Sequence, residues 1–222
     1  MKKERYLKKR YQNKIVASLL SKIILLAIYV IVLTGCAMDA QEMQPMIVEK
    51  PQYPAKVEAA DLQPGLAVLY FYDFYRYINE MPTGEKIKQK GKPGPPILQL
   101  NHQFKDGKVF DSGESRGVGM VMTGYFHLGE PGEYAFQALS NDGFELYIND
   151  NLLISDPRVH RDRLSDPGIL TVAQGGWFPV MIKYYQRKGT AALKLYWQPP
   201  GAGSFVIIPA NVYGHLTDSE KQ

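Results

Sequence analysis

The stretch “LSNDGFELYINDNLLI”, residues 139–154, combines two apolar runs with two turn signals. Within “FELYI”, the apolar residues Phe144, Leu146 and Ile148 alternate with more polar ones. This period of two predicts a strand with one buried face. The run “LLI” follows after “NDN”, a turn composition that favours a hairpin between neighbouring strands. The “NDG” that precedes the hairpin has the residues favoured in tight turns.

The same alternation recurs outward from this hairpin. Two later strands are predicted to bury alternate residues, namely Val180, Ile182 and Tyr184 in the first and Leu193, Leu195 and Trp197 in the second. The “RKG” between them, residues 187–189, predicts another hairpin turn. No segment has a sustained helical period. About nine or ten short strands with turns between them predict an all-β fold, an antiparallel β-sandwich or jelly-roll-like domain.

The charge is unevenly distributed along the 222 residues. Residues 1–35 hold eight of the 26 Lys and Arg side chains and one of the 22 Asp and Glu side chains. The remainder therefore has 18 basic and 21 acidic groups, which leaves it close to neutral or slightly acidic. This balance argues against nucleic acid as a partner.

The N-terminus has the pattern of an export signal. A basic segment leads to “IILLAIYVIVL”, which is too short to span a bilayer but typical of a signal peptide, and “LTGC” follows it. The chain has one cysteine, Cys36. The pattern resembles the bacterial lipobox, in which the cysteine is acylated, so a palmitate-type anchor in a lipid bilayer is expected at Cys36. An uncleaved anchor helix is the alternative.

The resemblance to a lipobox implies a membrane-anchored, extracytoplasmic lipoprotein. Ala37, rather than Asp, follows the cysteine, which implies the outer membrane if the source is Gram-negative. The expected organisation has four parts: a signal peptide at 1–35, the acylated cysteine and a flexible tether at 36–63, a β-sandwich at 64–215, and a polar tail at 216–222. The Pro- and Lys-rich residues 76–104 are expected to form a long loop.

Several segments, in order from Gly107 to Ala210, resemble the PA14 domain named after the anthrax protective antigen: “GKVFDSG”, “TGYFHL”, “PGEYAFQALSNDGFELYIND”, “FPVMIKYYQRKGTAALKLYWQPPGAG” and “FVIIPA”. The resemblance covers roughly residues 65–213. It implies a β-sandwich that binds glycans without catalysis, often with calcium holding the sugar hydroxyls.

The resemblance also implies a site. In sugar-binding relatives, two adjacent aspartates joined by a cis peptide supply carboxylates at the position of Asn141 and Asp142. Here the first is an amide, which can bind Ca²⁺ through its oxygen but brings no charge. Relatives also use an Asn from a later loop, near Gln186, and the neighbouring Arg187 and Lys188 would disfavour a cation if they faced it. Ligands for a sugar, and for calcium through Asn141 and Asp142, are expected here.

Two interpretations of this segment stay open, a ligand-binding site and a plain turn. The charged loop 155–168 could form a rim over a sugar or could simply be solvated. The sequence has no nucleophile, zinc or phosphate-binding motif of the usual kinds, and its histidines lack metal-ligand spacing, so no enzyme activity is expected.

The expected function is therefore a lipid-anchored, carbohydrate-binding protein of the cell envelope. Two alternatives are an envelope protein–protein interaction or assembly module that has lost the sugar site, and an accessory subunit of a hydrolase.

Overall fold

The predicted all-β sandwich is confirmed by a computed structural model, which describes residues 45–105 and 107–217. Fifteen strands lie in this part of the chain, with bounds as follows: β1 Met46–Gln52, β2 Leu62–Pro64, β3 Leu66–Tyr72, β4 Lys92–Ile97, β5 Asn101–Lys105, β6 Val118–Leu128, β7 Gly132–Asn141, β8 Phe144–Ile148, β9 Asn151–Asp156, β10 Arg163–Leu164, β11 Gly168–Val172, β12 Gly176–Gln186, β13 Ala191–Gln198, β14 Val206–Ile207 and β15 Tyr213–Leu216. The helical segments are α1, Glu85–Lys90, and four short 3-10 turns at Ala59–Asp61, Ile78–Glu80, Phe110–Ser112 and Ala210–Val212.

The strands form two sheets. The first has the order β1-β11-β7-β13-β14, with β10 beside β7 and β5 beside β13. The second has the order β2-β15-β6-β12-β8-β9, with the β3–β4 pair joined to β6. Most neighbours are antiparallel, and β1 lies parallel to β11.

The alternating apolar residues form the core between the sheets, as predicted. Phe144, Leu146 and Ile148 are fully buried. Phe126 of the second sheet stacks on Phe136 of the first, with ring centroids 6.5 Å apart. The predicted “NDN” hairpin joins β8 to β9. Its two central residues, Asn149 and Asp150, have the positive φ angles that such a two-residue turn requires.

A second apolar cluster covers the outer face of the second sheet, and it lies partly in the predicted loop 76–104. Tyr185 and Val121 point outward from their strands and are buried under Tyr75, Ile78 and Met81. The same region also contains α1 and the strands β4 and β5. It therefore forms ordered structure, because its scattered apolar residues find a sheet face to cover. The proline-rich “PGPP” pairs with β3 as part of β4.

The predicted tether is wrong from residue 46 onward. Residues 46–48 pair with 168–170 of β11, and Val48 packs against the core. The strand β2 pairs with β15. The strand β1 lies at a sheet edge, where Pro51 is tolerated and most side chains stay exposed. Its sequence therefore lacks the apolar alternation that marks a half-buried strand.

The predicted hairpin across residues 187–189 is also wrong. The strand β12 belongs to the second sheet and β13 to the first, so the two do not pair. A turn signal reports local chain reversal, whereas the partner of each strand is set by distant residues. Residues 187–190 instead carry the chain from the second sheet to the first.

Residues 1–35, Cys36 and the final residues 218–222 lie outside the described residues, so the predicted signal peptide, the acylation site and most of the polar tail stay predictions. In the part of the chain that the structure describes, no helix is both long and apolar enough to cross a membrane.

Candidate functional site

The candidate site lies where the chain crosses between sheets twice. The strand β7 ends at Asn141 in the first sheet and β8 begins at Phe144 in the second, while β12 and β13 make the reverse crossing through residues 187–190. Gly143 is required by close packing, since a Cβ there would lie 2.3 Å from the Tyr185 ring. Two crossings side by side bring loop polar groups from both sheets to one end of the sandwich.

Asp142 joins these segments through its carboxylate. Oδ2 accepts a 2.8 Å hydrogen bond from the backbone N–H of Arg187, and Oδ1 accepts one of 3.1 Å from the backbone N–H of His160. The side chain is buried, and the Asn141–Asp142 peptide bond is cis. Asp142 thus holds the loop after β12 and the loop after β9 at fixed positions.

Burial raises the pKa of the Asp142 carboxyl above its ordinary value. The two backbone N–H bonds, and the electrostatic effects of the neighbouring His160 and Arg187, act in the opposite direction without cancelling the effect of burial. The carboxylate is therefore a costly buried charge that the surrounding donors only partly compensate.

Asn141 connects the same place to a second carboxylate. Its backbone oxygen accepts a 2.7 Å hydrogen bond from the Tyr184 hydroxyl. Its side-chain nitrogen donates to Oδ1 of Asp162 at 2.8 Å and lies 3.4 Å from the Thr190 hydroxyl. The other oxygen of Asp162 accepts a 3.1 Å hydrogen bond from the Gln103 side chain. Asn141 is therefore a donor toward an acidic neighbour.

The three other predicted site residues have different environments. Gln186 is buried, and its side-chain nitrogen donates to the carbonyls of Gly189 and Thr190, both at 3.1 Å. Its Oε1 is buried without a hydrogen-bond partner in the described chain. The Lys188 ammonium lies 5.7 Å from the centre of the Phe74 ring, at the surface. The backbone of Arg187 thus contacts the Asp142 carboxylate, whereas the buried Gln186 side chain stabilises the loop after β12 through its hydrogen bonds to Gly189 and Thr190.

The loop 155–168 contains a second buried carboxylate, Asp156. Nε of Arg163 donates to its Oδ2 at 2.9 Å, a second Arg163 nitrogen contacts Oδ1, and Nε2 of His160 lies 3.0 Å from Oδ2. The His160 contact is within ion-pair distance but is not aligned as a hydrogen bond. Burial opposes ionisation, yet His160 and Arg163 outweigh it and lower the pKa of Asp156 to about 2.

Sequence reasoning missed Asp162 and Thr190 as neighbours of Asn141. Asp162 reaches the site because β10, which follows it, pairs with the end of β7. A two-residue strand has no detectable periodicity, so only the abundance of charged residues in the loop signalled it.

This donor set does not fit a divalent cation as it is arranged. Ca²⁺ takes six to eight oxygen ligands. Both Asp142 oxygens already accept N–H groups, and Asn141 turns its nitrogen toward Asp162. Over residues 45–105 and 107–217, no three Asp, Glu, His or Cys side chains group as metal ligands. The unpartnered Oε1 of Gln186 is one acceptor and does not complete a set.

A family model for the PA14 domain matches residues 62–211, more than half of the sequence. The chain therefore belongs to the PA14 domain family, as the sequence resemblance predicted. No curated protein sequence matches the chain.

Solved structures share the fold at low sequence identity. The PA14 domain of the antifreeze protein MpAFP has a TM-score of 0.59 and 14% identity, over 77% of this chain and 100% of that one. The Epithelial Adhesin 9 A domain from Candida glabrata, in complex with Galβ1-4GlcNAc, has a TM-score of 0.56 and 10% identity, over 77% and 98%. An anti-sigma factor domain-containing protein has a TM-score of 0.56 and 17% identity over 68% of this chain, which spans 48% of that protein's length.

Proposed function

We propose that the sandwich binds carbohydrate, without catalysis, at the end where the two crossings meet. The observation that carries the proposal is the convergence of three loops on Asn141 and Asp142, with hydrogen bonds from both crossings and from loop 155–168. Family membership and the adhesin relative, which is in complex with a galactose-containing disaccharide, support a sugar as the ligand.

The chemistry of these loops suits sugar hydroxyls, which both donate and accept hydrogen bonds. Asp162 is exposed and supplies acceptor oxygens, whereas Arg187 and Lys188 supply charged donors. Asp142 and Asn141 are buried and act as positioning residues that fix these loops. A site whose side chains are held before the ligand arrives loses less conformational freedom on binding.

The proposed site is calcium-independent. In relatives with two aspartates, a cation offsets their negative charge. Here two backbone N–H groups offset the charge of Asp142, and the Asn141 amide donates to Asp162. Calcium would therefore leave the wild-type affinity for a glycan unchanged.

The proposal includes the envelope location implied by the sequence. Acylation at Cys36 would anchor the protein in a lipid bilayer and keep the sandwich outside the cytoplasm, in the outer membrane of a Gram-negative source. The motif “LTGC” after an apolar run supports this part of the proposal.

A glycan array probed with the full-length protein tests the function. Binding to a defined set of glycans, weakened in Asp142→Asn, is the expected result. Absence of glycan binding, together with capture of one stoichiometric envelope protein, would instead favour the interaction-module alternative.

A further inference from the structure

A pocket of about 350 Å³ lies beside the crossings and is lined by Arg76, Tyr77, Arg158, Val159 and Arg187. These five residues are called the arginine pocket below. Arg187 also forms part of the candidate site, because its backbone N–H donates to Asp142. A cavity of this size suits a small-molecule ligand such as one sugar ring.

The backbone around the arginine pocket is held in place at several points. Tyr77 and Arg158 pair as an antiparallel bridge. The buried Tyr185 hydroxyl donates to the carbonyl of Arg76 at 2.7 Å and lies 3.3 Å from that of Pro157. The carbonyl of Arg187 accepts a 3.0 Å hydrogen bond from the N–H of Gly117. The backbone positions of three arginines, from three segments of the chain, are therefore fixed around one cavity.

The guanidinium groups of this pocket form no salt bridge in the part of the chain that the structure describes. In the described chain the salt bridges involve other residues, and none includes Arg76, Arg158 or Arg187. Two nearby carboxylates are bound to the backbone of the pocket residues, since Asp142 accepts the N–H of Arg187 at 2.8 Å and Glu80 accepts the N–H of Arg76 at 2.6 Å. Three arginines that line one cavity and form no salt bridge in the described chain favour an anion.

Arg187 also has one donor atom without a partner. Nε of Arg187 is buried and has no hydrogen-bond partner in the part of the chain described. A buried charged donor without an acceptor is costly, and native structures rarely leave one unsatisfied. A rotation of the Arg187 side chain toward a ligand oxygen in the pocket would remove that cost.

We propose that the arginine pocket binds the anionic group of an acidic sugar, a carboxylate or a sulfate ester, on a glycan held at the neighbouring candidate site. This inference rests on the proposed carbohydrate-binding function and assigns its ligand class. The planar guanidinium fork matches the oxygens of carboxylate and sulfate in a bidentate geometry. Tyr77, which is 44% exposed, offers an aromatic face at the pocket rim.

The experiment presents neutral, carboxylated and sulfated glycans on one array, followed by titration calorimetry with the full-length protein. Trigalacturonic acid, its methyl ester and a sulfated galactobiose separate the two anion sources from the uncharged sugar. The variants are Arg76→Gln and Arg158→Gln, with Arg158→Lys to keep the charge and lose the fork. Lys50→Gln, which removes one positive charge from the exposed edge of β1, is the matched control.

An acidic glycan should bind at least about 10-fold more tightly than its uncharged form. Each Arg→Gln variant should lose about 10-fold or more for the acidic glycan alone, Arg158→Lys should lose less, and Lys50→Gln should match the wild type. Equal binding of acidic and uncharged forms would overturn the inference and leave the proposed function standing. Binding of no glycan at all would overturn both. Thermal melts establish that the variants are folded.

Discussion

The backbone N–H of Arg187 donates a 2.8 Å hydrogen bond to Oδ2 of Asp142, and this contact joins the two segments in which the chain changes sheets. One buried carboxylate therefore controls the spacing between the β7–β8 and β12–β13 crossings. A substitution at Asp142 or at its neighbour Asn141 should therefore shift the positions of all the loops at this end of the sandwich.

The first prediction concerns Asn141. Asn141→Asp replaces an amide donor, 2.8 Å from Asp162, by a second carboxylate. Without a cation the like charges and the lost hydrogen bond should destabilise the domain by about 1–3 kcal/mol. Calcium should restore part of that loss in the variant, because it binds only the folded state, and should leave the wild type unchanged.

Thermal unfolding in EDTA and in millimolar calcium measures both proteins. Magnesium at the same concentration is the control for ionic strength. A calcium-dependent rise in the melting temperature of the wild type would show that the hydrogen-bonded arrangement gives way to a metal site and that the calcium-independent account is wrong.

The second prediction is a pH dependence from Asp156. Because the folded pKa of about 2 lies below the ordinary value of 3.8, ionised Asp156 stabilises the fold above about pH 4. That contribution should disappear as the pH falls from about 4 to 2. Asp142 has a raised pKa and the opposite sign, so the wild-type curve mixes the two effects.

The variant Asp156→Asn isolates the contribution of Asp156. It should be less stable than the wild type by about 1–2 kcal/mol at pH 7, after allowance for the exposure of Arg163. The difference should shrink toward zero near pH 2. Urea unfolding at pH 7, 4 and 2.5 measures it, and a difference independent of pH would mean that packing, and not charge, is lost.

The third prediction concerns the segment before residue 64. A protein that starts at Pro64 lacks β1, which pairs with β11 and packs Val48 on the core, and most of β2. It should unfold at least about 2 kcal/mol more easily than one that starts at Ala37. Guanidinium titrations compare the two, and equal stability would mean that β1 is dispensable.

Some features of this structure can be predicted from the sequence, and others cannot. The alternation in residues 144–148 identifies a half-buried strand because the pattern is local and long enough. The strand β1 is missed because an exposed edge imposes no alternation. The 187–189 hairpin is wrong because the true partners of β12 and β13, Leu146 and Ala138 among them, lie far away in sequence.

The residues of the candidate site are likewise only partly predictable from the sequence. Asn141 and Asp142 stand out as adjacent polar residues before a strand. Asp162 and Arg158 become neighbours of the site only through the path of loop 155–168 and the bridge to Tyr77. Contacts between loops depend on where the chain returns, and no local pattern encodes that.

The fourth prediction concerns the anchor. Cys36 follows “LTG” after an apolar run, so a fatty-acid analogue fed to cells should label the wild type. Cys36→Ser should lose the label and accumulate as the uncleaved precursor. Fractionation should place the labelled protein with membranes. Equal labelling of both proteins would contradict the lipoprotein proposal.

The most direct measurement of the central claim is the glycan affinity of the full-length protein with Asp142 changed. Asp142→Asn keeps the shape but removes the charge and one of the two acceptors that hold His160 and Arg187. Its affinity for the best array glycan should fall at least about 10-fold, while Glu49→Gln, on the exposed edge of β1, should bind as the wild type does. A folded Asp142→Asn protein that binds the glycan with unchanged affinity would contradict the placement of the site at the two crossings.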